Sequence, residues 1–262
     1  SEVSALHVLS FVSGFGNSAW ALYAAITDKF GKGTASFLDA LATDAEAEIE
    51  LSAPVARVER DADAVTVTTR SGDAVSAAAA VVAVPLNTWH DIDFAPVLSE
   101  PKGQAAAEGQ TGHATKVWAL VENAPDNLFA VGWGGGLSWL STQYVLSEGS
   151  LLVGFGTGPE LLDVTSSDEI RRAIERYVPD ARVVATDSHD WNRDEFSQGT
   201  WMSYRPGQVM RFPSAFQESE GRVSFAGSDL ALGWAGWMEG AVETGARAAR
   251  QAIAAVGAAV PS

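Results

Sequence analysis

The chain has no cysteine among its 262 residues. Disulfides, cysteine-ligated metals, thiol catalysis and a cysteinyl link to a prosthetic group are therefore excluded. Positive charge is also scarce: 17 Lys and Arg stand against 33 Asp and Glu, a formal net charge of −16. That balance disfavours nucleic acid and anionic membrane surfaces as partners and mildly favours cationic small molecules. The four histidines lack the spacing of metal ligands. No apolar run approaches the ~18 residues that span a bilayer, and neither G-x-S-x-G nor a P-loop occurs. No secretory leader is evident, so the expectation is a soluble, cytoplasmic protein. What is abundant is apolar: 47% of residues are hydrophobic and only 19% charged, enough to bury a sizeable core in one large domain or two smaller ones.

Residues 1–29 carry helical periodicity (Val3, Leu6, Leu9, then Trp20, Leu22, Tyr23 and Ile26). Within them His7–Ala19 also fits a strand entering G-x-G-x-x-A, a dinucleotide fingerprint, but no second strand ending in an acid comes about 20 residues on. A helix is expected over Thr34–Leu41. Residues 48–85 read as strands. Ile49 and Leu51 precede Pro54-Val55, and Val65 and Val67 alternate with threonines up to a Ser71-Gly-Asp73 hairpin turn. Ala77–Val84 is a continuous small apolar run, the pattern of a strand buried on both faces. Strands are expected at Leu128–Trp133, Leu137–Leu140 and Leu151–Gly156. Ser167–Tyr177 should be a helix, opened by capping residues. Of the nine tryptophans, Trp20, Trp89, Trp118 and Trp139 are expected in the core.

The chain is organised around its C-terminal stretch. Val223-Ser-Phe-Ala-Gly-Ser-Asp229 reads as a short strand entering a glycine turn, and Gly233-Trp-Ala-Gly-Trp-Met-Glu-Gly240 as a loop entering a helix near Met238. On that helix Val242, Ala246, Ala249, Ile253 and Val256 recur on one face. This stretch resembles the C-terminal flavin signature of the flavin-containing amine oxidases. Ile92–Leu98 resembles the family's I-x-F-x-P-x-L connection. Trp191–Gly207 resembles its W-x(5)-[YF]-S-x-G block, which continues with aromatic residues and ends at P-G. The resemblance runs nearly end to end, but it covers only the C-terminal half or so of such enzymes.

The resemblance implies an α/β fold, the C-terminal part of an FAD-binding glutathione-reductase-like fold with an interleaved mixed-sheet substrate region. Residues 30–105 and 191–262 would form the flavin side, and residues 1–29 and 106–190 the substrate side. FAD would be bound non-covalently, because Thr200 stands where mitochondrial relatives carry the covalent flavin. Cofactor contacts would come from Val55 (equally readable as a structural strand valine), Trp191, Thr200, Gly227, Ser228, Asp229, Gly236, Trp237 and Met238. Ser228 and Asp229 depart from the family's usual pair there, which leaves the role of Asp229 open. Trp201 and Trp237 fall on the aromatic positions that sandwich substrate. Lys116, 31 residues after Pro85, matches a lysine that reaches flavin N5 through a water. By itself it would read as a solvated strand lysine.

The reaction implied is hydride transfer from an amine α-carbon to flavin N5, with O2 or another acceptor taking the electrons. A flavin-dependent C–C desaturase or porphyrinogen-oxidase-like enzyme, or a non-catalytic partner subunit, would share much of the pattern. The strand–GxGxxG–helix unit and ribose-binding acid of a complete enzyme are not found. The expected partner is therefore a second polypeptide carrying that half, beside a small-molecule amine.

Overall fold

The computed structural model describes residues 2–18, 20–21 and 29–257; Ala19, Leu22, Tyr23 and Ile26 of the expected first helix lie outside them. By contacts the chain divides into two compact units, one of Pro85–Thr88 and Gly109–Ser203 with the first two residues, the other of Val3–Val84, Trp89–Glu108 and Tyr204–Ser262.

The first unit is built on one antiparallel sheet. Strands β6 (Thr115–Glu122), β7 (Phe129–Val131), β8 (Trp139–Leu146), β9 (Gly149–Gly156) and β10 (Arg182–Ser188) are ordered β10-β6-β9-β8-β7. Along β6 every second residue is buried, the period-two signature of a sheet with one covered face. Val117, Ala119, Val121, Leu140 and Leu152 from the sheet pack with Ile170 and Ile174 of helix α4 (Ser167–Glu175). The Ser166 hydroxyl accepts from the Glu169 N–H at 3.3 Å, capping that helix.

In the second unit, helices α1 (Ala5–Gly14) and α2 (Ala35–Asp44) precede a meander of β1 (Val55–Arg60), β2 (Val65–Thr69) and β3 (Ala74–Ala77). Strand β5 (Asp93–Ala95) joins β1 in parallel, giving the order β3-β2-β1-β5. Strand β4 (Ala80–Val82) instead pairs in parallel with β11 (Val223–Phe225). Helices α3 (Glu100–Glu108), α5 (Gln208–Arg211) and α6 (Pro213–Phe216) lead to the long α7 (Met238–Gly257). The buried centre includes Trp89, Phe212, Phe216 and Phe225. Beneath it the Lys102 ammonium donates to Glu220 at 3.0 Å, and Arg60 adds a second contact at 3.3 Å.

Several expectations fail for physical reasons. Ile49 and Leu51 form no strand and are 60% and 81% exposed; β1 begins only after Pro54, which has no N–H to give a ladder. The run Ala77–Val84 is split between β3 and β4, and Val81 and Val84 are exposed. The segment containing His7 is helical, which removes the dinucleotide-fingerprint reading. Trp20 is exposed, whereas Trp89 is in the core. On α7 the expected apolar face points outward: Val242 and Ile253 are exposed, while Gly240, Thr244 and Ala248 form the buried side. At 100° per residue the two stripes lie on opposite sides of the helix.

The Glu220 carboxylate is nearly buried. Burial pushes its pKa up, but the Ser99 N–H and the Lys102 ammonium outweigh that and hold it below the usual carboxylate range. A depressed carboxylate stabilises the fold above its unfolded pKa, and the contribution disappears as pH falls through the folded value. Glu220→Ala should therefore cost about 3–5 kcal/mol near neutral pH by stranding the Lys102 charge. By chemical denaturation, the gap to the unmutated chain should narrow on acidification below about pH 4. A gap independent of pH would refute this account.

Candidate functional site

In the second unit the site is built where β11 turns into α7. Gly227 ends the strand with φ +129°, a conformation that L side chains rarely adopt. The fully buried Thr244 hydroxyl accepts from the Gly227 N–H at 3.0 Å and lies 3.0 Å from the Gly227 carbonyl and 2.9 Å from that of Gly240. One side chain thus ties the turn to the helix. Gly240 makes the approach possible: a Cβ there would meet the Trp234 carbonyl oxygen at 2.2 Å. The intervening loop is closed by the Gly236 N–H donating to the Ser228 carbonyl at 3.1 Å. The first N–H of α7 returned to a carbonyl is that of Ala241, to Trp237 at 3.3 Å. The amides before it have no helical acceptor and favour a negatively charged or electron-rich partner.

Trp237, just before α7, is held by rings that the sequence does not flag. Phe11 on α1 lies 5.5 Å away with planes at 31°, and Phe15 lies 5.5 Å away at 57°. Trp234 meets it edge-on at 6.5 Å. His7, Ser10, Phe11, Trp234 and Trp237 border a small concavity. Asp229 is buried, and behind the burial of Tyr204 itself its charge is the second cause that pushes the Tyr204 phenol up. Val55 begins β1, half-buried and paired with Thr69. Ser228 and Met238 stand at the two ends of the loop, Met238 half-exposed.

The first unit carries Lys116, Trp191, Thr200 and Trp201. Lys116 is on β6 with its ammonium 5.0 Å from the Trp118 ring centre and 5.6 Å from that of Phe155. That ammonium has no ion-pair or hydrogen-bond partner among the described residues, and burial lowers its pKa. Trp201 shares this neighbourhood, its ring 6.1 Å from Phe155. Trp201 is 44% exposed and fills no core. Trp191 is also largely exposed. Its ring meets His189 at 4.3 Å, and His189 bonds Asp194 at 2.8 Å. Asn192 donates to the Ala114 carbonyl at 2.9 Å and so fixes this loop to the start of β6.

Thr200 serves geometry. Its hydroxyl donates to the Gly112 carbonyl at 2.9 Å and accepts from the Ala114 N–H at 3.1 Å. Two buried amides missed by motif reading complete the arrangement. Gln110 accepts from the N–H groups of Gly112 and Ser203 and donates to the Thr200 carbonyl at 3.1 Å. Asn87 accepts from the Gln110 N–H at 2.7 Å and donates to the Gln198 carbonyl at 2.8 Å. Together they hold the backbone on both sides of Trp201. Their only advance signal is polarity, beside a glycine in the case of Gln110, which many loops share.

The described residues contain no group of three His, Cys, Asp or Glu able to hold a metal, and no helix long and apolar enough to cross a membrane. The chemistry on show is that of a glycine turn, a helix start with free amides, and aromatic surface, in a mixed α/β protein. The profile of the flavin containing amine oxidoreductases matches residues 1–253, and the chain belongs to that family, whose cofactor is FAD. Over 221 residues it is 37% identical to pseudooxynicotine dehydrogenase of Pseudomonas sp., covering 83% of this chain and 44% of that protein. It is 33% identical to (S)-6-hydroxynicotine oxidase of Paenarthrobacter nicotinovorans, covering 93% and 57%. Among solved structures, putrescine oxidase bound to putrescine superposes with a TM-score of 0.73 over 85% of this chain and 53% of that one, at 23% identity. The chain thus spans about half the length of the relatives it matches.

Thr244→Val keeps the side-chain volume but removes the clamp, leaving the half-buried Gly227 N–H without its acceptor. Thermal denaturation should show a loss of about 1–3 kcal/mol. A variant as stable as the parent would mean that packing alone, without the hydroxyl, sets the turn.

Proposed function

We propose that this chain is the C-terminal part of an FAD-dependent amine oxidase with the glutathione-reductase-like fold, completed by a second polypeptide that carries the dinucleotide-binding half. The observation that carries the reading is the β11 turn locked to α7. The open space over Gly227, where an added Cβ would meet nothing within 4 Å, and the unpaired amides at Met238 and Glu239 fit a flavin approaching edge-on. Gly227, Ser228, Gly236, Trp237 and Met238 would hold it from this element, with Val55, Trp191 and Thr200 as further contacts and Asp229 acting through water. With the Thr200 hydroxyl engaged twice by backbone, non-covalent binding is the natural arrangement. When bound, FAD supplies the hydride acceptor and passes the electrons on to oxygen or another acceptor.

The protein's own part is positioning. Trp201 and Trp237 offer indole faces that attract and orient an amine. The Phe11 and Phe15 rings keep Trp237 from rotating, and the Asn87–Gln110–Thr200 bonds fix the backbone beside Trp201. Lys116 is an unpaired cation set against rings, suited to assist oxygen at the reduced cofactor. No side chain need act as base if the amine binds unprotonated. The names of the nicotine-type relatives and the wealth of aromatic surface point to an amine bearing a flat heteroaromatic ring.

In the assembled enzyme, anaerobic addition of such an amine should bleach the flavin absorbance, whereas an alkene substrate should not. Bleaching by neither would leave a non-catalytic subunit. Trp201→Ala should lower kcat/KM for amine by at least tenfold, about 1.4 kcal/mol, while leaving the melting temperature nearly unchanged. Equal loss of both would return Trp201 to a structural role. Lys116→Met should slow reoxidation by oxygen and leave anaerobic reduction as fast as before. The chain should be no less stable for it, since a half-buried, unpaired charge is removed. A Lys116→Met enzyme reoxidised at the parent rate would remove Lys116 from the reaction.

A further inference from the structure

We infer that His189, held by Asp194, is the positioning residue for Trp191, an assignment that rests on the cofactor reading above only for what the indole meets. The imidazole sets the orientation in which the indole is presented.

Trp191 follows β10 in a turn whose backbone is held on both sides. Its N–H donates to the His189 carbonyl at 3.1 Å, and its carbonyl accepts from the Gly199 N–H at 3.1 Å. Asp190 folds the chain here, its Oδ1 accepting from the Asn192 and Arg193 N–H groups at 3.2 and 3.3 Å. The Asn192 amide then bonds the Ala114 carbonyl at 2.9 Å and lies 3.1 Å from the His113 imidazole. None of these bonds reaches the indole. Trp191 is 46% exposed, and an exposed ring without a wall exchanges among its staggered wells.

His189 supplies the wall. Its ring centre lies 4.3 Å from that of Trp191 with planes at 61°, the edge-on contact that aromatic rings favour. No other ring touches Trp191 among the described residues. A half-exposed histidine would itself turn, but Nε2 lies 2.8 Å from Asp194 Oδ2. An ionised carboxylate only accepts, so the proton sits on Nε2 and the ring is fixed with it. The other carboxylate oxygen accepts from the Phe196 N–H at 2.9 Å, and the Asp194 N–H donates to the Asp190 carbonyl at 3.0 Å. The His189 bond is the largest of the influences that hold the Asp194 carboxyl below the usual carboxylate range. Turn, carboxylate, imidazole and indole are thus each fixed by the one before. An indole already oriented loses little freedom when a flat cofactor ring comes against it, and binding is tighter for that.

The test reads the indole N–H order parameter of Trp191 by NMR relaxation in the full chain, the signal being assigned by its loss in Trp191→Phe. His189→Ala should bring it below about 0.6, the range of flexible groups. The melting temperature should stay close to that of the parent, because His189 is exposed. Asp194→Asn keeps an oxygen for the Phe196 N–H but loses the paired acceptor. It should lower the order of Trp191 in the parent background and change nothing once His189 is Ala. An order parameter unmoved by His189→Ala, or an Asp194→Asn effect equal in both backgrounds, would overturn the assignment. In the assembled enzyme His189→Ala should weaken FAD binding about fivefold, as expected for ordering one side chain on binding. In a Trp191→Ala enzyme it should add no further loss. A further loss there would mean that His189 meets the cofactor itself, and the positioning role would fall. FAD affinity indifferent to Trp191→Ala, with the indole still loosened by His189→Ala, would remove Trp191 from the cofactor site and leave the positioning intact. An assembled enzyme that holds no FAD would sink the proposed function, and the order parameter would still decide the role of His189.

Discussion

The contact on which the larger unit depends is the one between Thr244 and the Gly227 turn. A helix can lie this close to a strand end only where Gly240 removes the Cβ that would collide with the Trp234 carbonyl and where a small hydroxyl satisfies the polar groups trapped between them. Everything assigned to the cofactor depends on that closeness. The loop from Gly227 to Gly236 is short, Trp237 is thrown forward onto the rings of α1, and the start of α7 is left with amides aimed at whatever enters. Val223, Phe225 and Ala226 behind the turn are buried and make it rigid.

The smaller unit solves a different problem with a different device. Its sheet is an ordinary antiparallel layer closed by α4, and its interest lies in the hydrogen-bonded loops at the entry to β6. There glycine again allows backbone to approach backbone: a Cβ at Gly112 would meet the Trp201 carbonyl oxygen at 1.9 Å. Asn87, Gln110 and Thr200 then satisfy the amides brought together. Buried amide networks of this sort fix a single arrangement because any slip leaves donors unpaired, which is what an aromatic side chain held ready for a ligand requires.

How much of this is legible from residues alone varies by element. The entry into α7 at Met238, the Ser71–Asp73 turn and the Ser166 cap are local, and local chemistry specifies them. Strand β10 is not foreseen, because its residues are mostly half-exposed or exposed and include Arg182, Thr186 and Asp187, which dilute any apolar period. The apolar stripe of α7 is legible as a period but not as a direction: Val242 and Ile253 look like core and lie outside, while Thr244, a polar residue, is fully buried. Ile49, Leu51 and Val81 mislead in the same way, since apolarity marks what wants covering and does not say whether this chain provides the cover. The ring cluster of Phe11, Phe15 and Trp237 joins residues from opposite ends of the chain, a separation that no local pattern bridges.

The central claim is that the free amides at the start of α7 receive the cofactor. Amide hydrogen exchange at Met238 and Glu239, compared with and without FAD in the assembled enzyme, addresses it most directly. The account predicts that FAD slows exchange at these two amides markedly while the middle of α7 is little changed. FAD bound at full stoichiometry with exchange at Met238 and Glu239 unaltered would contradict it.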